Sequence, residues 1–467
     1  MIVKKNTDNK ISINLGKGSV GKLLFRLALP AIIAQIVNVL YNIVDRIFIG
    51  RIPNGHIAMA GVGISFPIII IISSFSALIG MGGAPIAAIK MGEKDNDAAE
   101  KILSNSFSSL IIIGIILTII FSIFKEPLLW LFGASKVTID FAKDYLGIYL
   151  IGTIAVQIAL GMNPFINTQG FTKIGMVTVL IGALINIILD PILIFGFNMG
   201  VKGAALATIL SQTVSAIWVL RFLFSKKSIL KIRRKYLIPD FKVILSIISL
   251  GVSPFIMQST ESLVLISLNN QLLLYGKDLA VSAMTIMSSL MQIILLPLTG
   301  LTQGAQPIIS YNYGAKNIER VKKTFKLLIT SCLSYTTIVW SIIMLCPKFL
   351  VTIFNSNPEL VKFTSWSMRI FFGGIIIFGA QIACQQTFLA LGQAKISVVL
   401  ALLRKIILLI PFIFIFPAFF DDKLKAVLMA EPVADILASL STIICFTFFY
   451  KKHLKNSGVN DMVNKIS

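Results

Sequence analysis

Long apolar stretches recur along the whole of this chain, and they constrain its fold more than any other feature. Twelve of them are long enough to cross a bilayer as helices, because a membrane-spanning helix needs about 20 apolar residues. Their approximate limits are 23–50, 57–89, 102–124, 139–161, 174–196, 201–224, 243–274, 279–311, 327–346, 363–391, 396–420 and 426–450. Uninterrupted apolar runs are typical of helices, whereas barrel strands alternate polar and apolar residues. The sequence therefore predicts an all-α integral membrane protein with twelve transmembrane helices.

Basic residues are unequally divided between the two sides of this predicted bundle. A formal net charge of +22 would suggest nucleic-acid binding in a soluble protein. With the amino terminus placed inside, 26 Lys and Arg fall in the tails and even-numbered loops, and 9 fall in the odd-numbered loops. An excess of this kind marks cytoplasmic loops. We therefore expect a plasma-membrane protein with both termini cytoplasmic and no nucleic-acid partner.

Signatures of enzymes and of metal centres are missing from the sequence. There is no P-loop, no HExxH and no GxSxG motif, and the chain has only two histidines. The four cysteines lie in predicted spans without metal-type spacing and are interpreted as small apolar residues: Cys332, Cys346, Cys384 and Cys445. The polar amino-terminal segment leads into a span too long for a signal peptide, so we expect no processing. These features predict a secondary transporter without a cofactor.

The second half of the chain repeats the first at an offset of 222 residues. The identical pairs are Pro85 and Pro307, Gly92 and Gly314, Lys94 and Lys316, Lys101 and Lys323, Phe132 and Phe354, Phe141 and Phe363, Gly152 and Gly374, Gly170 and Gly392, Lys173 and Lys395, and Ile174 and Ile396. Six helices in each half make the halves parallel repeats, with the substrate path between them. The predicted parts are a cytoplasmic tail (1–22), an N-lobe (23–224), a basic linker (225–242), a C-lobe (243–450) and a second cytoplasmic tail (451–467). The linker is interpreted as a solvated or lipid-facing charge run.

Asp190 is the best-placed acidic residue of the first half. In GALINIILDPILIF, Asn186 precedes it by one helical turn and Pro191 follows it. Residues at i and i+4 share one helix face, and the proline favours a kink that frees backbone carbonyl oxygens. These oxygens suit Na⁺, and a desolvated carboxylate suits the loading and release of a proton. The alternative is a kinked structural helix whose aspartate is satisfied by a neighbouring helix.

Other charged residues within spans are functional candidates, since ionisable groups are costly in a membrane. Asp45 adjoins Arg46 near the end of the first span, so function and an interfacial position both remain open. Glu261 is the deepest acidic residue of the second half and is a candidate for coupling or for binding a cationic substrate. Arg404 and Lys405 are explained at least as well by snorkelling to the cytoplasmic interface.

Two further groups in the second half carry weaker signals. Glu431 and Asp435, near the outer side of the twelfth span, either line an outer vestibule or face water. Four methionines are candidates for an adaptable drug-binding wall, because methionine repacks easily: Met257, Met284, Met287 and Met291. The alternative is ordinary core packing.

Four segments of the chain resemble the multidrug and toxic compound extrusion (MATE) transporters. They are LALPAIIAQIVNVLYNIVDRIFIGRI in span one, NIILDPILIFGFNMGVKGAALATILSQ across spans five and six, GLTQGAQPIISYNYGAK in span eight, and LLRKIILLIPFIFIFP in span eleven. The resemblance covers about residues 20 to 450 and points to the bacterial MepA-like, DinF-related branch. It implies a V-shaped pair of six-helix lobes that exports organic cations or other toxic compounds in exchange for Na⁺ or H⁺.

The resemblance also implies a cation-coupling site. Positions that bind the cation in several members of the family fall on Asp45, Asn186, Asp190 and Thr208. Glu261 matches an acidic residue of the NorM branch, but residues 363–391 lack that branch's partner aspartate, which favours a role for Glu261 in substrate binding. The candidate substrate contacts are Glu261, Gln35, Asn38, Met257, Met287, Met291 and Gln306.

The sequence therefore predicts a multidrug antiporter of a bacterial plasma membrane. Its expected partners are organic cations or drugs and membrane lipids, it is expected to be monomeric, and Na⁺ or H⁺ is the coupling ion. A first alternative is a flippase for a lipid-linked oligosaccharide, which would need a wide cationic cavity. A second is a non-transporting membrane scaffold or sensor, which would not need buried carboxylates.

Overall fold

The apolar stretches form helices in the computed structural model, which describes residues 14–455, and every regular element in that range is helical. The helices are α1 (Val20–Gly50), α2 (Gly55–Gly92), α3 (Asn96–Leu131), α4 (Ile139–Ile151), α5 (Thr153–Thr168), α6 (Thr172–Pro191), α7 (Val201–Leu223), α8 (Phe241–Ser259), α9 (Glu261–Gly314), α10 (Ile318–Leu345), α11 (Pro347–Thr352), α12 (Pro358–Phe371), α13 (Ile375–Ala390), α14 (Ala394–Leu402), α15 (Ile410–Phe419) and α16 (Lys423–Phe449). Short π-helices continue α6 (Ile192–Gly196), join α14 to α15 (Leu403–Leu409) and follow α16 (Tyr450–Lys455). The expected tails lie largely outside the described residues.

Twelve membrane crossings follow from these helices. In the described range, nine helical segments are long and apolar enough to cross a membrane, and the bent pairs α4–α5 and α12–α13 add two more. One of the nine, Phe241–Gly314, has 74 residues, about 110 Å at the rise of an α-helix. It breaks at Lys277, where φ is 55° and ψ is −157°, so it supplies two crossings. The predicted all-α fold with twelve spans is confirmed.

The internal repeat extends to backbone conformation. Lys94 and Lys316 both adopt left-handed φ angles, 65° and 58°, and Gly170 and Gly392 do the same at 84° and 71°. The bends of 61° in α4–α5 and 48° in α12–α13 lie at another repeated pair, Gly152 and Gly374. Equivalent residues thus form equivalent turns and bends, which confirms two parallel six-helix lobes.

The two lobes meet through glycines at what we call the basic end of the bundle, where residues 93–95, 224–240 and 315–317 lie. A Cβ on Gly92 would be 2.0 Å from the Tyr311 carbonyl oxygen, and a Cβ on Gly314 would be 2.0 Å from the Ile89 carbonyl oxygen. The offset of 222 residues relates these two contacts. Small residues allow helix backbones to approach this closely, so the lobes are closed here.

Further glycine contacts continue this seam away from the basic end. A Cβ on Gly251 of α8 would be 1.8 Å from the Leu78 carbonyl oxygen of α2, and a Cβ on Gly304 of α9 would be 2.6 Å from the Ala28 Cα of α1. Toward the opposite end the lobes diverge into a V, whose inner space we call the cleft. Its walls position the candidate site residues.

At the basic end, each lobe packs against the segment that leads into the other lobe. Leu15 packs in the core of the second lobe, and its carbonyl accepts a hydrogen bond of 3.0 Å from Asn312. Conversely, Leu230 and Ile232 of the linker pack in the core of the first lobe. The entry segment of each half is therefore docked on the other half.

The linker also forms polar contacts with the start of α3. Glu100 accepts from the Lys231 backbone N–H at 3.1 Å and from the Arg233 guanidinium at 2.7 Å, and Lys101 pairs with Asp240 at 2.6 Å. The linker is thus an ordered part of the first lobe. The prediction of a solvated charge run missed these contacts.

Candidate functional site

Three helices of the first lobe bring the candidate cation ligands together. Asp45 lies in the last two turns of α1, Asn186 and Asp190 lie near the end of α6, and Thr208 lies in the second turn of α7. Helix α6 packs against both α1 and α7. Residues distant in the sequence therefore face one another in the half of the lobe away from the basic end.

The two aspartates form a carboxylate pair. The carboxyl groups of Asp45 and Asp190 contact each other, and the Asn186 amide donates to Asp190 at 3.3 Å. Asn186 and Asp190 are fully buried, and Asp45 is only 6% exposed. The helical spacing did place the amide and carboxylate on one face, and the burial of Asp45 argues against its interfacial alternative.

Three buried oxygen atoms at this point have no hydrogen-bond partner: Asp45 Oδ1, Asn186 Oδ1 and Asp190 Oδ2. Thr208 Oγ1 donates to the Ala204 carbonyl at 3.0 Å, which leaves its lone pairs available. Unsatisfied buried oxygens are costly unless a ligand satisfies them. Oxygen donors with two carboxylates fit either a hard monovalent cation or a proton. We call these four residues the N-lobe site.

The wall around the N-lobe site contains residues that the sequence analysis did not select. Tyr145 is buried beside Thr208, Tyr41 interacts with Gln212 on α7, and Tyr149 is buried near Tyr41. These tyrosines place aromatic rings close to the buried carboxylates. Gln212 follows Thr208 by four residues, so helical spacing was a signal that could have identified it.

Arg46 does not neutralise Asp45 through a close ion pair. No salt bridge between these neighbours occurs among the described residues, and the Arg46 guanidinium lies 4.5 Å from the centre of the Phe66 ring. The guanidinium is held by this cation–π contact and not by a close ion pair with Asp45. The buried aspartates therefore have no close cationic partner among the described residues.

The N-lobe site has no copy in the second lobe. At the offset of 222 residues, Phe412 takes the place of Asp190 and Leu408 takes that of Asn186. Both stretches contain a π-helix. The two lobes therefore differ in chemistry at this point of the repeat.

In the second lobe, Glu261 pairs with Lys405 across 2.6 Å. The Glu261 side chain is 62% exposed, whereas the Lys405 side chain is almost completely buried. The interpretation of Lys405 as a residue that snorkels to the interface is wrong. Its ammonium group is held inside the lobe because the glutamate balances its charge.

Arg404 is also buried, and its snorkelling interpretation is wrong for the same reason. Its Nε donates to Asp435 at 2.7 Å and its terminal nitrogen donates to Glu431 at 3.2 Å, while its guanidinium lies 4.4 Å from the centre of the Phe378 ring. Both acids are buried as well, so the expectation that they line an outer vestibule or face water is wrong. Their partner is Arg404, which the sequence analysis had placed at the cytoplasmic interface.

The candidate substrate contacts occupy different environments. Asn38 is exposed, and Gln35, Met291 and Gln306 are half-buried. Met287 and Met284 are fully packed in the core of the second lobe, where a compound in the cleft cannot contact them in this conformation. Met257 instead lines a small cavity together with Phe378, Gln381, Gln385, Arg404 and Lys405 among others.

Comparisons with known proteins agree with this architecture. The family model described as MatE matches residues 30–192 and 252–415. The chain is 27% identical over 424 residues to a multidrug export protein, MepA, of Staphylococcus haemolyticus, covering 90% of this chain and 93% of that protein. Among solved structures, it is similar to a MATE in the bent conformation (TM-score 0.89, 22% identity, 95% and 98% of the two chains). It is also similar to an outward-facing multidrug resistance MATE transporter (TM-score 0.87, 23% identity, 94% and 98%).

Proposed function

The chain belongs to the MatE family, and from this membership we propose that it is a cation-coupled antiporter that exports organic cations from a bacterial cell. The observation that carries the proposal is the set of three unpartnered buried oxygens on Asp45, Asn186 and Asp190. The MepA relatives are named multidrug export proteins, which supports drugs as the cargo. The basic loops support a plasma-membrane location with the basic end, and so both termini, in the cytoplasm. No oligomeric partner is needed to complete either lobe, so we propose a monomer.

In the proposed cycle, Na⁺ or H⁺ entering from outside occupies the N-lobe site. The structure is closed by glycines at the basic end, and in the proposed topology its cleft faces outward, so the ion reaches the site from the side of higher concentration. Binding neutralises part of the charge of the two aspartates and draws α1 toward α6 and α7. Helix α1 also packs on α9 of the second lobe, so its movement affects the contact between the lobes.

Coupling requires that ion and drug favour different conformations. We propose that drug occupies the cleft beside Glu261, and that the ion in the N-lobe site promotes its release outward. After the drug leaves, the lobes close on the outer side and part at the basic end, where the ion is lost to the cytoplasm. The glycine contacts suit this step, because backbones that touch without interlocking side chains separate without repacking a core.

A flippase for lipid-linked oligosaccharides is less well supported. Recognition of a pyrophosphate would need unpaired cations along the cleft. The two buried cations of the second lobe, Arg404 and Lys405, are instead paired with three carboxylates. The charge on the walls therefore favours a cationic cargo.

The test is efflux of ethidium from cells, with Na⁺ and H⁺ gradients imposed separately, for the wild type and Asp190→Asn. We expect one gradient to drive export in the wild type and the variant to lose gradient-driven export, because the amide cannot exchange a proton and binds a cation more weakly. The matched control is Asp144→Asn, a half-buried aspartate 3.4 Å from Lys202, which should transport normally. Wild-type efflux in Asp190→Asn would refute the assignment of the N-lobe site.

A further inference from the structure

The linker between the lobes, residues 225–242, has two chemically different sides. Its inward side is docked on α3 of the first lobe. Glu100 of that helix pairs with Arg233 at 2.7 Å. Asp97, one turn earlier in α3, pairs with Lys235 at 2.8 Å. The outward side of the linker carries the basic residues that these two acids do not neutralise.

Most of the positive charge of the linker has no acidic partner among residues 14–455. The segment contains seven Lys and Arg and a single Asp, and that aspartate, Asp240, already pairs with Lys101 of α3. Four exposed basic residues and one half-buried lysine take no part in a salt bridge: Lys226, Lys227, Arg234, Lys242 and Lys231. The outward side of the linker therefore attracts anions.

Large apolar side chains are exposed among these cations. Ile238 is 82% exposed and Phe241 is 77% exposed, and Lys242 directly follows Phe241 in the chain. Leu245, one turn further along the membrane-spanning helix α8, is exposed as well, and residues at i and i+4 share one helix face. Apolar side chains next to cations are typical of segments that lie at the boundary between lipid headgroups and acyl chains. The exposed part of the linker therefore has the composition of a membrane interface.

We propose that the outward side of the linker binds an anionic phospholipid from the bilayer leaflet at the basic end. The headgroup phosphate pairs with Arg234 and Lys242, and the acyl chains pack against Ile238 and Phe241. A bilayer satisfies both kinds of side chain, because it presents phosphates directly above hydrocarbon. An acidic soluble protein or a nucleic acid would pair with the cations and leave the two apolar side chains in water, so the combination favours a lipid.

Hydrogen bonds from α3 fix the backbone of the linker before any lipid binds. The Ser104 hydroxyl accepts from the Arg233 backbone N–H at 2.9 Å. The Asn105 side chain donates to the Tyr236 carbonyl at 3.2 Å and accepts from the Asp240 backbone N–H at 2.6 Å. The segment that carries Arg234 and Ile238 is thus held at both ends, and little conformational freedom is lost when a lipid binds.

The two kinds of side chain have separable effects on lipid binding. Each Lys or Arg near an anionic headgroup strengthens binding about fivefold, so Arg234 and Lys242 determine the preference for negatively charged lipids. Ile238 and Phe241 contact acyl chains that all glycerophospholipids share, so they contribute to affinity without selecting a headgroup. The inference goes beyond the proposed function, because it holds whichever compound the protein transports.

The experiment is native mass spectrometry of the full-length protein, delipidated in detergent and titrated with dioleoylphosphatidylglycerol or dioleoylphosphatidylcholine. We expect the anionic phosphatidylglycerol to bind about 25-fold more tightly, a factor of about five for each of the two cations. Arg234→Gln combined with Lys242→Gln should remove this preference and leave the affinity for phosphatidylcholine unchanged. The matched control is Arg51→Gln combined with Lys136→Gln, which removes two exposed cations outside the linker and should keep the preference.

Ile238→Ser combined with Phe241→Ser is the second variant, and it should weaken both lipids while keeping the preference for phosphatidylglycerol. If the double charge variant does not yield folded protein, Lys242→Gln alone should reduce the preference about fivefold. Equal affinities of the wild type for the two lipids would overturn the inference, and so would an unchanged preference in the charge variants. Glycerol 3-phosphate is added to test the source of the phosphate. If it displaces phosphatidylglycerol at equal concentration, the site binds free phosphate esters and the assignment to a lipid is wrong.

Discussion

The glycine contact at the basic end makes a quantitative prediction about the balance of conformations. In Gly92→Ala, the new Cβ would lie 2.0 Å from the Tyr311 carbonyl oxygen, whereas an ordinary carbon–oxygen contact is about 3.3 Å. The helices α2 and α9 must therefore separate by about 1.3 Å at this point. Overpacking of this kind costs about 1–3 kcal/mol, which corresponds to about a 5- to 150-fold shift in population.

Because the clash exists only while the lobes touch, we expect the shift to favour the conformation that is open at the basic end. The matched control is Gly63→Ala, in the same helix, where an added Cβ meets nothing within 4 Å. Both substitutions add one methyl group to the same helix, so lower activity or altered distances in Gly92→Ala alone report the contact between lobes. The gain in helix propensity is larger at Gly63, because Gly92 is the last residue of α2.

The measurement is the distance between spin labels attached to Glu93→Cys and Ala315→Cys, by pulsed electron paramagnetic resonance. Both positions are exposed, and the exposed Cys346 and Cys445 would be replaced by serine. We expect a longer distance to become populated in Gly92→Ala and ethidium efflux to decrease. Identical distance distributions for Gly92→Ala and Gly63→Ala would refute the reasoning that backbone contact closes this end.

Two further predictions concern charges. Arg404→Met leaves Glu431 and Asp435 buried without their cation, so we expect destabilisation of about 3–5 kcal/mol, measured by thermal unfolding in detergent; an unchanged transition would mean that the acids are neutralised by another route. At the linker, the hydrogen bond from Lys101 lowers the pKa of Asp240, and that with Asp97 raises the pKa of Lys235. A lowered acid pKa contributes stability above the unfolded value of about 3.9, and a raised lysine pKa contributes it below about 10.4. We therefore expect hydrogen exchange of linker amides, corrected for intrinsic rates, to be constant between about pH 5 and pH 9; a loss of protection in that range would contradict the docking of the linker.

Local patterns in the sequence were sufficient to predict the fold, because membrane helices are specified by long apolar runs. The repeated turn residues Gly170 and Gly392 even identified equivalent backbone conformations. The sequence could not show that Gly92 and Gly314 touch the opposite lobe, since a close helix contact and a flexible turn both favour glycine. Nor did it predict the docked linker, because its charged residues pair with side chains more than a hundred residues away.

The site in the first lobe could be predicted from the sequence, whereas the ion pairs in the second lobe could not. At the N-lobe site, the spacing of Asn186 and Asp190 within one helix was enough to identify a shared face, and the family resemblance supplied Asp45 and Thr208. In the second lobe, Arg404, Glu431 and Asp435 each looked peripheral when considered alone, because the arginine and its acidic partners lie on different helices. Pairing across helices depends on tertiary packing, and a single sequence contains no direct record of it.

The exchanged entry segments have a consequence for the biosynthesis of the protein. Leu15 belongs to the core of the second lobe, yet the ribosome makes it about three hundred residues before Asn312, whose amide holds it. The first lobe receives its docked linker soon after α7 is made, whereas the segment that precedes α1 must wait until α9 has been inserted. The earliest part of the described chain therefore docks only after more than half of the protein has been made, and a ribosome that stalls before α9 leaves a nearly finished first lobe whose Leu15 has no site to occupy.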